Sequence, residues 1–246
     1  MNKLFKVFAM AVMLIMGSQA IAQNHGTMFL GASFPMKDYG DGTSFAGTAL
    51  GSNDKDGGAG IGFNTGLKWN FGVGVPGLSV ILSIDGFYNG PSTDMKDYYK
   101  SVQKEWENWC DNVTVTSPKY INVPAMLGLR YCFYLNSQFG IYAEGGAGGN
   151  WRFITDYTQK GTSKILKLKN NAEYDFESVL GFAWQAGLGI EVSKKLVIGC
   201  SLYDLGSADV KGELSGVTEG VSVPTTSFEH GTLHPVMVLG RIGFKF

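Results

Sequence analysis

The sequence lacks the features that define several protein classes. Its three cysteines, Cys110, Cys132 and Cys200, are odd in number and far apart, which favours free thiols over a disulfide framework. Only 7 prolines are present and glycine has no period of three, which excludes collagen and proline-rich disorder. With 20 Lys+Arg against 21 Asp+Glu, the chain also lacks the basic excess of a nucleic-acid-binding protein, and no nucleic-acid partner is expected.

Glycine is the residue in excess. The 35 glycines in 246 residues are about twice the usual share of roughly 7 %. Glycine is unfavourable inside helices, so this content argues against a helical domain.

The N-terminus has the composition of an export signal. Lys3 and Lys6 precede an apolar stretch from Val7 to Met16, and Ala20-Ile21-Ala22 supplies small residues for cleavage. Ten apolar residues are too few to cross a hydrocarbon core of about 30 Å, which requires about 20 in a helix. We therefore predict a signal peptide at residues 1–22 and a mature domain at 23–246. No later run reaches the 18 apolar residues of a transmembrane helix.

Polar and apolar residues alternate in eight segments of the mature chain, as expected for strands with two different faces. Most are longer than ordinary strands but suit tilted strands that cross a bilayer in about 9–11 residues. The predicted strands are Gly26–Phe34, Gly60–Phe71, Leu78–Tyr88, Tyr120–Tyr134, Phe139–Phe153, Phe176–Val192, Leu196–Leu205 and Leu233–Phe246.

The connections alternate between short and long. Short turns at Gly72–Gly77, Leu135–Gln138 and Ser193–Lys195 separate long polar segments near 35–59, 89–119, 154–175 and 206–232. All tight turns would then lie at one end of a barrel and all long loops at the other. This predicts an all-β fold, an eight-stranded antiparallel up-and-down transmembrane barrel with short periplasmic turns and long extracellular loops.

Alternation alone does not decide which face meets lipid, and a soluble lipocalin-like barrel is the alternative. The polar face carries many glycines, which would weaken an exposed strand face but make room for long side chains inside eight strands. The apolar face ends in aromatic pairs such as Trp151 and Phe153, which resemble an interfacial girdle. Both observations favour the membrane barrel. The polar-face glycines are Gly60, Gly62, Gly66, Gly128, Gly140, Gly146, Gly148, Gly181, Gly187, Gly189 and Gly199.

Three segments resemble a known family. Tyr120–Tyr131 ("YINVPAMLGLRY"), Phe182–Val192 ("FAWQAGLGIEV") and Leu239–Phe246 ("LGRIGFKF") are similar to small outer-membrane β-barrel proteins of the Bacteroidota type, described as porin-like or PorT-like. The resemblance implies the outer membrane of a Gram-negative bacterium but no single activity. It also implies that Phe244 and Phe246 form the signal that the barrel-assembly machinery reads.

Eight charged residues fall on the predicted inward face. These residues have two possible interpretations. They form either a cation-lined path for small anions or a salt-bridge network that fills the barrel. The narrow bore of eight strands favours the network. The residues are Lys68, Asp85, Arg130, Glu144, Arg152, Glu191, Arg241 and Lys245.

The segment from Met95 to Cys110 has aromatic and apolar residues spaced three or four apart, which predicts an amphipathic helix. It could cover the barrel mouth as a lid or form a contact surface for lipid or a partner. The stripe consists of Met95, Tyr98, Tyr99, Val102, Trp106 and Trp109.

The histidines and the Asp/Gly-rich stretches do not match the pattern of a known metal site. His230 and His234, with Glu229, are too far apart in an extended chain to share a metal ion, and His25 lies near the mature terminus. The Asp/Gly-rich stretches Lys37–Ser44 and Ser52–Gly58 lack the full ligand pattern of a calcium loop. We expect no metal, no cofactor and no catalytic residue.

The sequence therefore predicts a non-enzymatic outer-membrane barrel with a largely filled lumen and loops for structural or interaction roles. A small porin-like channel for small solutes or anions is the alternative, and a lipid-modifying enzyme using a histidine and a loop serine is the third. The expected partners are outer-membrane lipids, the barrel-assembly machinery and an extracellular or envelope protein bound through the loops.

Overall fold

The computed structural model describes residues 24–36, 39–40, 57–193 and 195–246. The predicted signal peptide and most of the two Asp/Gly-rich stretches lie outside these residues. The described residues form thirteen β-strands and one α-helix. In chain order they are β1 (His25–Met36), β2 (Ala59–Gly72), β3 (Leu78–Pro91), α1 (Thr93–Trp109), β4 (Cys110–Thr116), β5 (Tyr120–Tyr134), β6 (Phe139–Ile154), β7 (Tyr157–Ser163), β8 (Lys169–Phe176), β9 (Val179–Val192), β10 (Leu196–Asp204), β11 (Ala208–Thr218), β12 (Val221–Leu233) and β13 (Val236–Lys245).

Eight strands close into an antiparallel barrel, which confirms the predicted fold class. Its order is β1-β13-β10-β9-β6-β5-β3-β2, so each barrel strand pairs with its neighbours along the chain. The first and last strands close it, with Met28 opposite Phe244 and Phe34 opposite Val238. The observed bounds agree with the eight predicted strands to within three residues at each end.

The long connections differ from the prediction, because three of them contain strands rather than loops. β4, β7, β8, β11 and β12 form a second sheet in the order β12-β11-β8-β7-β4. This order matches that of the barrel strands β13, β10, β9, β6 and β5, each of which is separated from its partner in the second sheet by only a few residues. The second sheet therefore continues five of the eight barrel walls beyond the rim, and we call it the extracellular sheet.

The extracellular sheet contains residues that favour strands. Its segments are rich in Thr and Ser and also contain valine and aromatic residues, which favour a half-buried sheet surface. These residues are Val113, Val115, Tyr157, Tyr174 and Phe228. Tyr157 pairs with Tyr174, and Gly212 pairs with Phe228 on one side and Phe176 on the other, which brings their aromatic rings onto one face.

The predicted amphipathic helix is α1, which begins two residues earlier than expected and ends at Trp109, with Cys110 starting β4. Ser92 caps its N-terminus, where the hydroxyl oxygen accepts a hydrogen bond of 3.2 Å from the Met95 backbone N–H. Among the described residues, no helix is long and apolar enough to cross a membrane.

Candidate functional site: the barrel interior and the extracellular sheet

The structure directs all eight predicted charged side chains into the barrel. Seven of them are buried and Lys245 is half-buried. They sit on β2, β3, β5, β6, β9 and β13 because inward positions recur every second residue along a strand.

Seven of the eight charges join into one ion-pair network. Glu144 is its centre, since it pairs with Lys68 and lies 3.8 Å from Arg130 and 3.7 Å from Arg241. Glu191 pairs with both Arg130 and Lys245. The Arg241 guanidinium lies 3.0 Å from the Asp85 carboxylate. Four cations thus face three anions, so most of the charge inside the barrel is compensated.

Arg152 does not join this network. Its guanidinium donates hydrogen bonds to the backbone carbonyls of Leu233 at 3.1 Å and Gly206 at 2.8 Å, at the extracellular end of the barrel. It therefore links the end of β12 to the connection between β10 and β11.

Aromatic rings occupy the space between the charges. The Arg130 guanidinium stacks 3.7 Å from the Tyr142 ring centre, and Arg241 lies 5.0 Å from that of Phe29. The Tyr203 hydroxyl donates a 2.8 Å hydrogen bond to Asp85. Phe29 and Tyr203 were not among the predicted interior residues, because that prediction rested on charge and both side chains are uncharged.

Glycines on the inward face make room for these long side chains, as predicted from their positions. A Cβ on Gly199 would lie 2.1 Å from the Tyr142 hydroxyl oxygen, and one on Gly189 would lie 2.6 Å from it. A Cβ on Gly66 would lie 2.0 Å from an Asp85 carboxylate oxygen. Small residues on one strand therefore accommodate large side chains from nearby strands of the barrel.

The extracellular half of the barrel is filled by apolar and amide side chains. Phe87, Met126, Ala183, Met237 and Leu239 are at most 1 % exposed and belong to one hydrophobic cluster. Above them, Asn150 donates a 3.0 Å hydrogen bond to Asn122, which in turn donates to the Tyr39 hydroxyl at 3.3 Å. We call these side chains the extracellular plug.

Helix α1 extends this plug. Met95 and Tyr99 are buried, whereas Tyr98, Val102 and Trp106 are half-buried and Trp109 is exposed. The Tyr99 ring centre lies 5.2 Å from that of Tyr157, which lies 5.3 Å from that of Tyr174. The N-terminal half of the predicted stripe therefore packs as a lid, and its C-terminal end faces solvent.

Burial of the Tyr99 and Tyr157 rings raises the pKa of their hydroxyl groups. Desolvation raises the pKa of Tyr157 to about 12, although a hydrogen bond with Gln159 opposes the shift. Burial raises the pKa of Tyr99 further, with the neighbouring Tyr120 and Tyr157 adding to the effect. Both groups stay neutral at physiological pH and act as packing residues.

A cavity of about 290 Å³ lies at the short-turn end of the barrel. The β2–β3 turn, Asn70, Cys132 and Tyr134 line it, and its inner wall is formed by Arg130 and Glu191. Because these two residues pair with each other, the cavity ends at the charge network.

His234 and the three cysteines lie in separate parts of the structure. The His234 ring nitrogen lies 2.8 Å from Asp204, while His230 is placed in β12 opposite Val210. Cys110 and Cys132 are buried free thiols and Cys200 is an exposed one. Among the described residues, no group of three or more His, Cys, Asp or Glu side chains could hold a metal ion.

The outer face of the barrel is an apolar belt. Large apolar side chains that are more than one-third exposed cover its strands, which is unfavourable in water and favourable in lipid. Aromatic residues stand at both ends of the strands, with Trp151 toward the extracellular rim and Phe133, Phe244 and Phe246 toward the short turns. Typical members of the belt are Leu30, Leu127, Leu129, Ile141, Leu180, Phe182, Leu188 and Ile242.

A family model described as "outer membrane protein beta-barrel domain" matches residues 7–218. The chain belongs to this family. The barrel is therefore an outer-membrane barrel, and its place is the outer membrane.

The chain is similar to several solved structures that are distant from it in sequence. Ail, the attachment invasion locus protein of Yersinia pestis, is 15 % identical, with 91 % of this chain and 97 % of that chain covered and a TM-score of 0.39. OprG from Pseudomonas aeruginosa is 14 % identical, with 91 % and 94 % covered and a TM-score of 0.42. Neisserial surface protein A is 10 % identical, with 91 % and 97 % covered and a TM-score of 0.38. No curated protein matches the outer-membrane barrel in sequence.

Proposed function

We propose that this outer-membrane barrel is a non-conducting, non-enzymatic surface protein that holds the extracellular sheet and α1 above the membrane for contact with a partner. The observation that carries the proposal is the double closure of the lumen. The charge network around Glu144 occupies the half near the short turns, and the extracellular plug occupies the other half.

Several finer features belong to the same proposal. Residues 1–22 direct export and are removed, and the mature domain at 23–246 is of the Bacteroidota porin-like type. The assembly machinery reads Phe244 and Phe246, whose exposed side chains follow the alternation of the last strand. The partners are outer-membrane lipids around the belt and an extracellular or envelope molecule above it.

Planar-bilayer recording tests the closed lumen. The purified barrel, with insertion verified by the heat-dependent gel migration of folded barrels, is expected to give no conductance steps. The variants Arg130→Ala and Arg241→Ala are measured beside it. Anion-selective steps in the wild type that disappear in either variant would overturn the proposal and establish the porin-like alternative, in which the interior cations line a path.

A further inference from the structure

Three chain segments meet at the end of the extracellular sheet that is farthest from the barrel. The Lys164 backbone N–H donates a 3.0 Å hydrogen bond to the Trp109 carbonyl, which joins the end of α1 to the β7–β8 turn. The Gly220 N–H donates a 3.1 Å bond to the Lys169 carbonyl, which joins the β11–β12 turn to the same place. We call this region, formed by Trp109, residues 160–171 and residues 219–223, the distal tip.

The distal tip exposes large apolar side chains. Ile165 is 84 % exposed, Trp109 74 % and Val221 70 %, and Leu166, Leu168 and Val223 are also exposed. Large apolar side chains that are exposed together in one region are typical of a contact surface. It is separate from the lipid-facing belt, because β7 and β8 have seven and eight residues and extend about 20 Å past the barrel at about 3.3 Å per residue.

A cationic cleft adjoins the apolar side chains. Its volume is about 660 Å³, and its polar lining includes three lysines, Lys160, Lys167 and Lys169, with Thr162 and the amides of Asn112, Asn170 and Asn171. Leu168 lines the cleft as well, so the two surfaces are continuous. Ammonium and amide groups are donors suited to phosphate oxygens.

The acidic residues near the cleft compensate only part of its charge. Lys167 lies 3.1 Å from Asp111, and the Glu219 N–H donates to the Asn170 side-chain oxygen at 2.5 Å, which places a second carboxylate residue nearby. Lys160 and Lys169 form no ion pair with any residue that the structure describes. These two lysines are available for an external anion.

We propose that the distal tip docks onto an anionic phospholipid bilayer facing the outer membrane. Its apolar side chains enter the boundary between headgroups and acyl chains, and Lys160 and Lys169 bind lipid phosphates. Protein surfaces that bind at a membrane interface typically combine tryptophan and lysine with aliphatic residues. A protein partner fits less well, because lysine is depleted in protein interfaces and residues 160–169 contain four lysines.

This inference rests on the proposed surface role and names the partner for it. The test uses the full barrel in phosphatidylcholine nanodiscs, which cover the lipid-facing belt. The nanodiscs are mixed with sedimentable vesicles of phosphatidylcholine alone or with 30 % phosphatidylglycerol. We expect binding to the anionic vesicles only. Each surface lysine contributes about fivefold, so Lys160→Gln with Lys169→Gln should weaken the binding about 25-fold.

Matched variants separate the apolar contribution from the cationic one. Ile165→Ser with Leu166→Ser should weaken binding to the same vesicles, whereas Lys195→Gln and Val75→Ser at the short-turn end should leave it unchanged. Folding of every variant is checked by its gel migration. The absence of binding to anionic vesicles, or equal loss in the control variants, would overturn the proposal.

Two further outcomes would reassign the surface. Competition by inorganic phosphate, with no effect of the Ile165 and Leu166 variants, would identify a free-phosphate site and reject bilayer docking. Stronger binding to lipopolysaccharide than to phosphatidylglycerol vesicles would assign the tip to the glycolipid of an outer membrane and also reject it. A protein that binds neither vesicle yet gives no conductance would refute this inference alone.

Discussion

Removal of the Glu144 charge tests whether the interior network stabilises the barrel by pairing. In Glu144→Gln, three cations lose a carboxylate, since Glu144 contacts Lys68 and lies within 4 Å of Arg130 and Arg241. Arg130 keeps Glu191 and Arg241 keeps Asp85, but Lys68 keeps no carboxylate within 4 Å among the described residues. The change therefore leaves one buried ammonium without a counter-ion.

The expected loss follows from this buried, unpaired charge. Breaking a buried ion pair by removing one partner costs about 3–5 kcal/mol, because the remaining charge cannot be solvated. The free energy of unfolding of Glu144→Gln should fall by that amount. Equilibrium unfolding in urea, with the barrel in lipid vesicles and tryptophan fluorescence as the signal, measures it.

A second substitution should recover most of the loss. Lys68→Met in the Glu144→Gln background removes the stranded ammonium, and replacing a buried pair by uncharged groups of similar volume is often neutral. Glu229→Gln is the matched control, since it breaks an exposed ion pair of 3.0 Å with Lys211 and should cost less than about 1 kcal/mol. Equal effects of Glu144→Gln and Glu229→Gln, or no recovery in the double variant, would refute the reasoning.

Two other predictions concern packing and the extracellular sheet. Gly199→Ala should lower the free energy of unfolding by about 1–3 kcal/mol, because its methyl would lie 2.1 Å from the Tyr142 hydroxyl oxygen, whereas Gly240→Ala, with nothing within 4 Å, should be neutral or stabilising. Urea unfolding compares them, and equal stability of the two variants would contradict an interior packed around Tyr142. Burial and the nearby Asp175 and Glu173 raise the pKa of Asp156, so its charged form destabilises the fold and the stability should fall as pH rises through that pKa. Limited proteolysis of the extracellular sheet at neutral pH should therefore be slower in Asp156→Asn than in the wild type. The difference should shrink at acid pH, where the wild-type carboxyl is protonated. Faster cleavage of the variant would show that the charge of Asp156 does not destabilise the sheet.

The barrel could be predicted because its signals are local. A strand that is lipid-facing on one side and packed on the other must alternate, and this alternation identified β5 with both ends correct, at Tyr120 and Tyr134. The same alternation placed Arg130, Glu144 and Glu191 on the inward face. Which charges pair across the lumen depends on strand register, which no local pattern contains.

The extracellular sheet could not be recognised from the same signals. Its strands are short, partly exposed on both faces and rich in Thr, Ser and Asn, so they resemble polar loops. The sequence "VTVT" at residues 113–116 and the valines at 221 and 223 are strand-favouring signals that the prediction did not use. Their pairing is inherited from the barrel, because each rises from a barrel strand whose order is already determined.

The extracellular plug and the extracellular sheet share one core. The hydrophobic cluster runs from Met126 and Phe87 in the lumen, through Tyr120 and Tyr99, to Tyr157 and Tyr174 in the sheet. Removing the plug would therefore remove packing contacts that stabilise the sheet in its position above the barrel. A five-stranded sheet with two open edges has few other stabilising contacts. Opening the lumen and releasing the sheet are thus coupled, and a barrel selected to present this sheet must keep the lumen filled at that end.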